Sequence, residues 1–115
     1  EEIIEGEIES ILHNEKYAGV VVKEDNADNS KLFLYDLKGD RVLNMGLDFE
    51  YDNIYLSGDE IIMFNDLSCV IYKTSGREKF RYTFNSNISA IYPINYIDRY
   101  FIVNPEEILE VRLVE

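Results

Sequence analysis

The sequence has few of the residues that build common catalytic and metal sites. It contains one cysteine, Cys69, and one histidine, His13, among 115 residues. The single cysteine excludes an intrachain disulfide and any multi-cysteine zinc site, and the single histidine excludes the usual His-based metal constellations. A Ser–His–Asp triad would need His13 with Ser10, Ser57 or Ser75, and none of these serines has the context of a nucleophile elbow.

Basic residues are also scarce. The chain has 11 Lys and Arg against 23 Asp and Glu, which gives a net charge of −12 and a pI near 4.4. Phosphate recognition needs clustered Lys and Arg, so the balance argues against nucleic acid and against anionic lipid as partners. No apolar run approaches the roughly 18 residues of a membrane-spanning helix, and we expect no membrane insertion by this segment.

What the sequence does have is a strand-like pattern. Nine tyrosines and six phenylalanines favour strands over helices. Apolar residues occur in short bursts, as at residues 18–22, 32–37 and 60–64, or alternate with polar ones, as at residues 78–84. In this last segment Phe80, Tyr82 and Phe84 alternate with Lys79 and Arg81, which predicts one packed and one solvated face.

The strand pattern repeats. Tyr35 and Tyr72 lie 37 positions apart, as do the turn glycines Gly39 and Gly76. Each hairpin follows two further short strands, and a third, truncated copy ends the chain, so the approximate units are residues 8–50, 51–87 and 88–115. Repeats of about 40 residues with four short strands are typical of β-propeller blades.

The sequence therefore predicts an all-β, single-domain, propeller-like chain of about eleven strands in three imperfect four-stranded antiparallel units. A helical alternative exists for residues 1–13 because their isoleucines lie near helical spacing. The expected core is formed by apolar residues of all three units: Val20, Val22, Phe33, Tyr35, Ile61, Met63, Ile71, Phe101 and Val103.

Three units do not close a propeller, which takes at least four blades. The chain is then a piece of a longer propeller, one of two copies that assemble, or a stack of sheets without a ring. Because exposed strand edges promote pairing, we expect a homodimer or edge-paired assembly.

Several strings carry a family resemblance: YDLKG at 35–39, DFEY at 48–51, GDEIIMFND at 58–66 and YKTSGREKF at 72–80. With them the chain resembles the C-terminal part of a bacterial family of unknown function with WD40- or quinoprotein-like propeller repeats. The ending at 98–103 and 108–113 fits that family's last blade. The resemblance implies an extracytoplasmic protein anchored in the membrane through a missing N-terminal segment, and it carries no catalytic residues.

The loop at residues 24–30 concentrates oxygen ligands, with Asp25 and Asp28 as the candidates for calcium. The spacing does not match an EF-hand, and a solvated connection explains the loop equally well. We therefore expect no cofactor and no metal site.

Other candidates have ordinary structural interpretations. Residues 48–53 alternate acids with aromatics, which suits a sugar or a cation but also a connection with its aromatics packed inward. Asp59 and Glu60, like Asn65 and Asp66, flank a buried strand and are expected to cap turns. Cys69 is expected in the core, and His13 in an exposed turn.

These observations favour a non-enzymatic scaffold or recognition module that displays loops to a protein or glycan partner. Such a module should expose a flat patch with aromatics such as Tyr17, Tyr51 or Tyr55. The alternative is part of an extracytoplasmic hydrolase or lyase, which should show a pocket with converging acids and a perturbed carboxyl. A third interpretation is a purely structural segment that contacts only other blades.

Overall fold

A computed structural model describes residues 6–24, 28–94 and 98–113. These residues form three antiparallel sheets of four, four and three strands, none closed into a barrel. The expected fold class is confirmed: an all-β chain of propeller-like blades that do not form a ring. The strands are β1 (Glu7–His13), β2 (Tyr17–Lys23), β3 (Lys31–Asp36) and β4 (Arg41–Gly46); β5 (Asn53–Ser57), β6 (Glu60–Phe64), β7 (Ser68–Lys73) and β8 (Glu78–Thr83); and β9 (Ala90–Pro93), β10 (Arg99–Val103) and β11 (Ile108–Arg112).

The first two sheets repeat each other in detail. In both, the third and fourth strands are joined by the same turn, in which Asp36 or Lys73 bonds to the residue four positions later. Gly39 and Gly76 occupy the left-handed region of this turn, with φ of 87° and 95°. A β-bulge follows each turn at the equivalent residue, Val42 in the first sheet and Lys79 in the second. The 37-residue repeat of the sequence therefore corresponds to a structural repeat of turn and bulge.

The second sheet is buried on both faces. On one face, Ile61, Met63, Val70 and Tyr72 belong to a core shared with the first sheet. On the other, Ile62, Phe64, Cys69 and Ile71 belong to a core shared with the third sheet. Successive strand residues alternate between faces, so burial of both faces explains why β6 and β7 are continuous apolar runs.

The expected core is largely confirmed. Five of its members are buried: Val22, Phe33, Ile61, Met63 and Ile71. Val20, Tyr35 and Val103 are half-buried. The expectation for Phe101 was wrong, because β10 directs Tyr100 and Ile102 into the core and leaves Phe101 on the outer face.

The structure also decides three smaller points. The helical alternative for residues 1–13 does not hold in the described part, because residues 7–13 form the expected strand; residues 1–5 lie outside the described residues. His13 is exposed as expected but ends β1 instead of lying in a turn. Along β8 the expected alternation holds in part: Phe80 packs inward and Arg81 is exposed, but Lys79 is buried and Tyr82 is exposed. Within the described ranges, no helix has the length and apolar character needed to cross a membrane.

The hairpin turn offers a test of the repeat. Gly39→Ala places a side chain in the left-handed region, and we expect it to lower the free energy of unfolding by about 1 kcal/mol. Urea denaturation measures the change. The matched control is Gly46→Ala, because an added Cβ meets no atom within 4 Å at either position and Gly46 does not have a positive φ. An equal effect of the two substitutions would contradict the turn geometry.

Candidate functional site

A polar concave site lies between the second and third sheets, at the end of the stack where the hairpin turns β5–β6 and β7–β8 are found. We call this end the hairpin end. The cleft has a volume of about 300 Å³, and its lining includes Glu60 and Lys73 from the second sheet and Asp98, Arg99 and Tyr100 from the third. Carboxylates and cations therefore converge in one cavity.

Lys79 lies at the base of this site because of the β8 bulge. The register passes from Ile71↔Phe80 to Tyr72↔Glu78, so Lys79 is the extra residue of the bulge. An extra residue re-aims its side chain relative to the regular alternation. Here the bulge directs the lysine between the two sheets, where its side chain is only 4% exposed.

The Lys79 ammonium is paired with groups of both sheets. Its Nζ lies 2.6 Å from Glu60 Oε2, 2.5 Å from Asp98 Oδ1 and 3.0 Å from the Tyr100 hydroxyl. The Tyr100 hydroxyl donates in turn to Glu60, and Lys73 Nζ lies 3.0 Å from the same carboxylate. We call these five residues, Glu60, Lys73, Lys79, Asp98 and Tyr100, the Lys79 network.

The network favours the ionised forms of Glu60, Lys79 and Asp98. The hydrogen bond from Lys79 holds the pKa of Asp98 below its usual value. Burial alone would raise the pKa of Glu60, but hydrogen bonds from Lys79, Tyr100 and Lys73 outweigh burial and lower it. Burial opposes the charge of Lys79 as well, yet bonds to Asp98 and Glu60 raise its pKa above the ordinary lysine value.

The directions of these pKa shifts limit the chemistry that the site can perform. A lysine nucleophile or general base needs a lowered pKa, and a carboxyl that acts as general acid needs a raised one. Lys79, Glu60 and Asp98 are shifted in the opposite directions. The arrangement is therefore suited to holding the two sheets together, with the cleft above it open to a small polar ligand.

A second polar joint connects the first and second sheets at the same end. The Tyr17 hydroxyl donates to Asp59 Oδ1 at 2.8 Å, and Asn14 Nδ2 donates to the Gly58 carbonyl at 3.0 Å. Lys16 Nζ lies 3.3 Å from Asp59, and both side chains are more than half exposed. The bond from Tyr17 and the bond from Lys16 lower the pKa of Asp59.

The structure changes the interpretation of several candidate residues. Asp59 and Glu60 do not cap their own turn: Asp59 accepts from Tyr17 of the first sheet, and Glu60 accepts from Lys79 of its own sheet and from Tyr100 of the third. Asn65 does cap its turn, since its Oδ1 accepts the N–H groups of Leu67 and Ser68. Asn104 Oδ1 accepts from Glu106 and Glu107 in the same way.

The three tyrosines named for an exposed patch are not exposed. Tyr17, Tyr51 and Tyr55 are each half-buried rather than exposed. Tyr17 and Tyr51 pack against the first core, and Tyr51 bonds Ser10 at 2.7 Å. The Tyr55 hydroxyl is buried and has no hydrogen-bond partner among the described residues, and burial raises its pKa.

The remaining candidates have structural roles or lie outside the described residues. In the connection after β4, Phe49 and Tyr51 pack inward while Asp48 and Glu50 are exposed, as the ordinary interpretation expected. Cys69 is fully buried, and burial raises the pKa of its thiol to about 12.

For the calcium candidates, Asp28 is exposed and Asp25 lies outside the described part. No three His, Cys, Asp or Glu side chains of the described residues group as metal ligands would.

The substitution Lys79→Met tests the network. It leaves two carboxylates without their main cation, and we expect the free energy of unfolding at pH 7 to fall by about 3 kcal/mol. The matched control is Lys16→Met, which removes an exposed ion pair and should cost less than about 1 kcal/mol. Urea denaturation of both variants measures the difference, and similar effects would contradict a buried network.

The same variants give a pH signature. The lowered pKa values of Glu60 and Asp98 contribute stability above their unfolded values, and this stability is lost as the pH falls through the folded values. The unmodified chain and Lys16→Met should therefore lose more stability between pH 7 and about 3 than Lys79→Met does. A steeper loss in Lys79→Met would contradict the assignment.

Comparison with known proteins places the chain in a family. No curated protein matches it. A family model described as a family of unknown function, DUF5711, matches residues 1–113, which is nearly the whole chain. The three-sheet chain with its Lys79 network therefore belongs to the family of unknown function DUF5711.

Proposed function

We propose that the chain is a non-enzymatic recognition or scaffold module of a larger, surface-associated bacterial propeller protein. In this proposal the three sheets are consecutive blades of the WD40 or quinoprotein type, outside the cytoplasm and anchored through a segment that precedes this chain. Support comes from the repeated hairpin and bulge and from the polar joints that fix neighbouring sheets to each other. Fixed sheets hold their loops in a constant arrangement, which a display function needs.

The observation that carries the proposal is an uneven distribution of charge. We call the end opposite the hairpin end the connection end; it includes the loops between β2 and β3, β6 and β7, and β10 and β11. Ten carboxylates of the described residues lie there against three cations, Lys23, Lys31 and Arg81. The carboxylates are Glu7, Glu9, Glu24, Asp28, Asp48, Glu50, Asp52, Asp66, Glu106 and Glu107.

The hairpin end is nearly neutral by comparison. Eight cations of the described residues lie there against seven carboxylates, and the Lys79 network pairs four of these charged groups internally. The negative charge of the described residues is therefore concentrated at the connection end. Such a surface attracts and orients a partner with a basic surface through complementary charge. We propose a basic protein segment as the partner and a glycan as the alternative ligand.

The hydrolase or lyase alternative has one observation in its favour, the convergence of Asp59, Glu60 and Asp98 at the hairpin-end cleft. All three carboxyls have lowered pKa values and are already bonded to Lys or Tyr side chains. A glycosidase-type pair requires one carboxyl that stays protonated at working pH. The pKa directions thus support recognition over acid catalysis.

A binding screen with charge-matched variants tests the proposal. The unmodified chain is applied to arrays of basic peptides, acidic peptides and neutral glycans, and we expect basic peptides to bind with an affinity that falls as salt is added. The double variant Glu50→Lys and Asp66→Lys should lose most of this binding. The control, Glu15→Lys with Asp40→Lys, makes the same charge change on exposed residues of the hairpin end and should retain it.

Two results would overturn the proposed partner. Equal losses in the two double variants would show that net charge matters and not the connection end. Turnover of chromogenic glycosides or esters that disappears in Glu60→Gln would instead support the hydrolase alternative.

A further inference from the structure

A cleft of about 370 Å³ lies at the connection end, beside the first sheet. Its apolar lining consists of the buried Leu47 and the half-buried rings of Phe49 and Tyr51. Four carboxylates also line it: Glu9, Asp28, Asp48 and Glu50. A cavity of this size is at the lower end of the range for ligand pockets, so it suits one long side chain rather than a folded surface. We call it the Tyr51 cleft.

Glu9 reaches this cleft through an irregularity in β1. The register passes from Ile8↔Val22 to Ser10↔Val21, so Glu9 is the extra residue of a β-bulge. The first strands of the other two sheets, β5 and β9, pair without a bulge. Because bulges re-aim side chains and are common beside functional sites, this departure from the repeat is informative.

The connection after β4 also departs from the repeat. Leu47 N–H bonds the loop before β3, and Phe84 N–H bonds the loop before β7, so the connections after β4 and β8 are equivalent. Residues 48–50 are Asp-Phe-Glu in the first connection, whereas residues 85–87 are Asn-Ser-Asn in the second. The fold therefore does not require acids and an aromatic ring at these positions.

The third departure is the connection between β2 and β3, which contributes Asp28 and Ser30 to the lining. It spans residues 24–30, whereas the equivalent connections span only residues 65–67 and 104–107. The Ser30 hydroxyl donates to the Glu9 carboxylate and so joins this loop to the bulge. Three features found in the first sheet alone among the described sheets thus meet at one cleft.

Residues of the cleft already hold a guanidinium from the chain itself. Arg81 Nη2 lies 2.9 Å from Asp48 Oδ1, and Arg81 Cζ lies 6.0 Å from the centroid of the Phe49 ring. A carboxylate beside an aromatic face suits the planar guanidinium, which can pair and stack at the same time. Asp48 and Phe49 show that this combination binds arginine here.

The rest of the cleft offers the same chemistry without a cation in place. Tyr51 supplies the ring, and its hydroxyl is fixed by Ser10 at 2.7 Å. Within the residues that the structure describes, no Lys or Arg lies at ion-pair distance from the carboxylates of Glu9 or Glu50. Lys23 is the one cation among the described lining residues, and its side chain is exposed. The cleft therefore keeps a net negative charge.

We propose that the Tyr51 cleft takes the guanidinium of one arginine of the basic partner, between the Tyr51 ring and the carboxylates of Glu9 and Glu50. The inference rests on the proposed function and makes it specific, because the partner then needs an arginine and not only positive charge. A lysine ammonium is a compact, strongly hydrated charge that stacks less well on an aromatic ring.

Two labelled peptides of equal length and charge, one with six arginines and one with six lysines, test the proposal by fluorescence anisotropy. We expect the unmodified chain to bind the arginine peptide about threefold more tightly or better. Tyr51→Leu should abolish this preference. Tyr51→Phe is its matched control, because it also removes the bond to Ser10 but keeps the ring, and it should retain the preference.

A second pair of variants separates the cleft from the charge of the whole end. The double variant Glu9→Gln and Glu50→Gln should weaken binding of the arginine peptide about tenfold. Glu106→Gln with Glu107→Gln makes the same charge change on exposed residues of another cavity at the connection end, and it should cost about twofold or less. Circular dichroism and urea denaturation establish that each variant is folded.

The outcomes distinguish this inference from the proposed function. Equal binding of the two peptides, equal losses in the two glutamine variants, or a preference that survives in Tyr51→Leu would overturn the cleft and leave a basic partner at the connection end. If the unmodified chain binds neither peptide, the proposed partner fails, and the arginine cleft fails with it.

Discussion

The fold depends on the burial of the second sheet on both faces. Strands β6 and β7 supply side chains alternately to the core with the first sheet and to the core with the third. Fully burying an apolar side chain contributes about 1.5–3 kcal/mol before conformational entropy is subtracted. The first and third sheets each share a core with the second sheet, so the second sheet is what organises the stack.

Polar interactions then fix the angle and register of the sheets that the apolar cores bring together. The Lys79 network joins the second and third sheets, and the Tyr17–Asp59 bond joins the first and second. Arg81 of β8 also bonds Asp48, in the connection between the first and second sheets, at 2.9 Å. A buried lysine is costly unless it is fully paired, so the network specifies one arrangement of the two sheets.

Much of the architecture could be predicted from the sequence because it depends on local pattern. The positions of the eleven strands follow from apolar bursts and turn glycines, and the 37-residue spacing of Tyr35 and Tyr72 corresponds to an observed repeat of turn and bulge. The expected position of Cys69 in the core also holds, because a residue flanked by Val70 in a continuous apolar run is buried whichever face it occupies.

The site could not be predicted in the same way. Lys79 looks like a residue of a solvated strand face, and only the bulge directs it inward. Its partners Glu60 and Asp98 are 19 residues away in each direction, and no local signal connects them to it. The equivalent position in the first sheet is Val42, so the repeat itself does not indicate a lysine site. Likewise, the sequence does not decide whether Tyr100 or Phe101 faces the core. Both residues belong to one short apolar burst, which does not show which of two successive side chains points inward.

Native-state hydrogen exchange tests the central claim most directly. If the second sheet organises the fold, the slowest backbone amides should lie in β6 and β7 and should exchange only by global unfolding. Strand β1 is an edge of the first sheet and β11 is an edge of the third. Their amides should exchange faster, through local opening. Maximal protection in the first sheet, with β6 and β7 exchanging through local openings, would contradict the account.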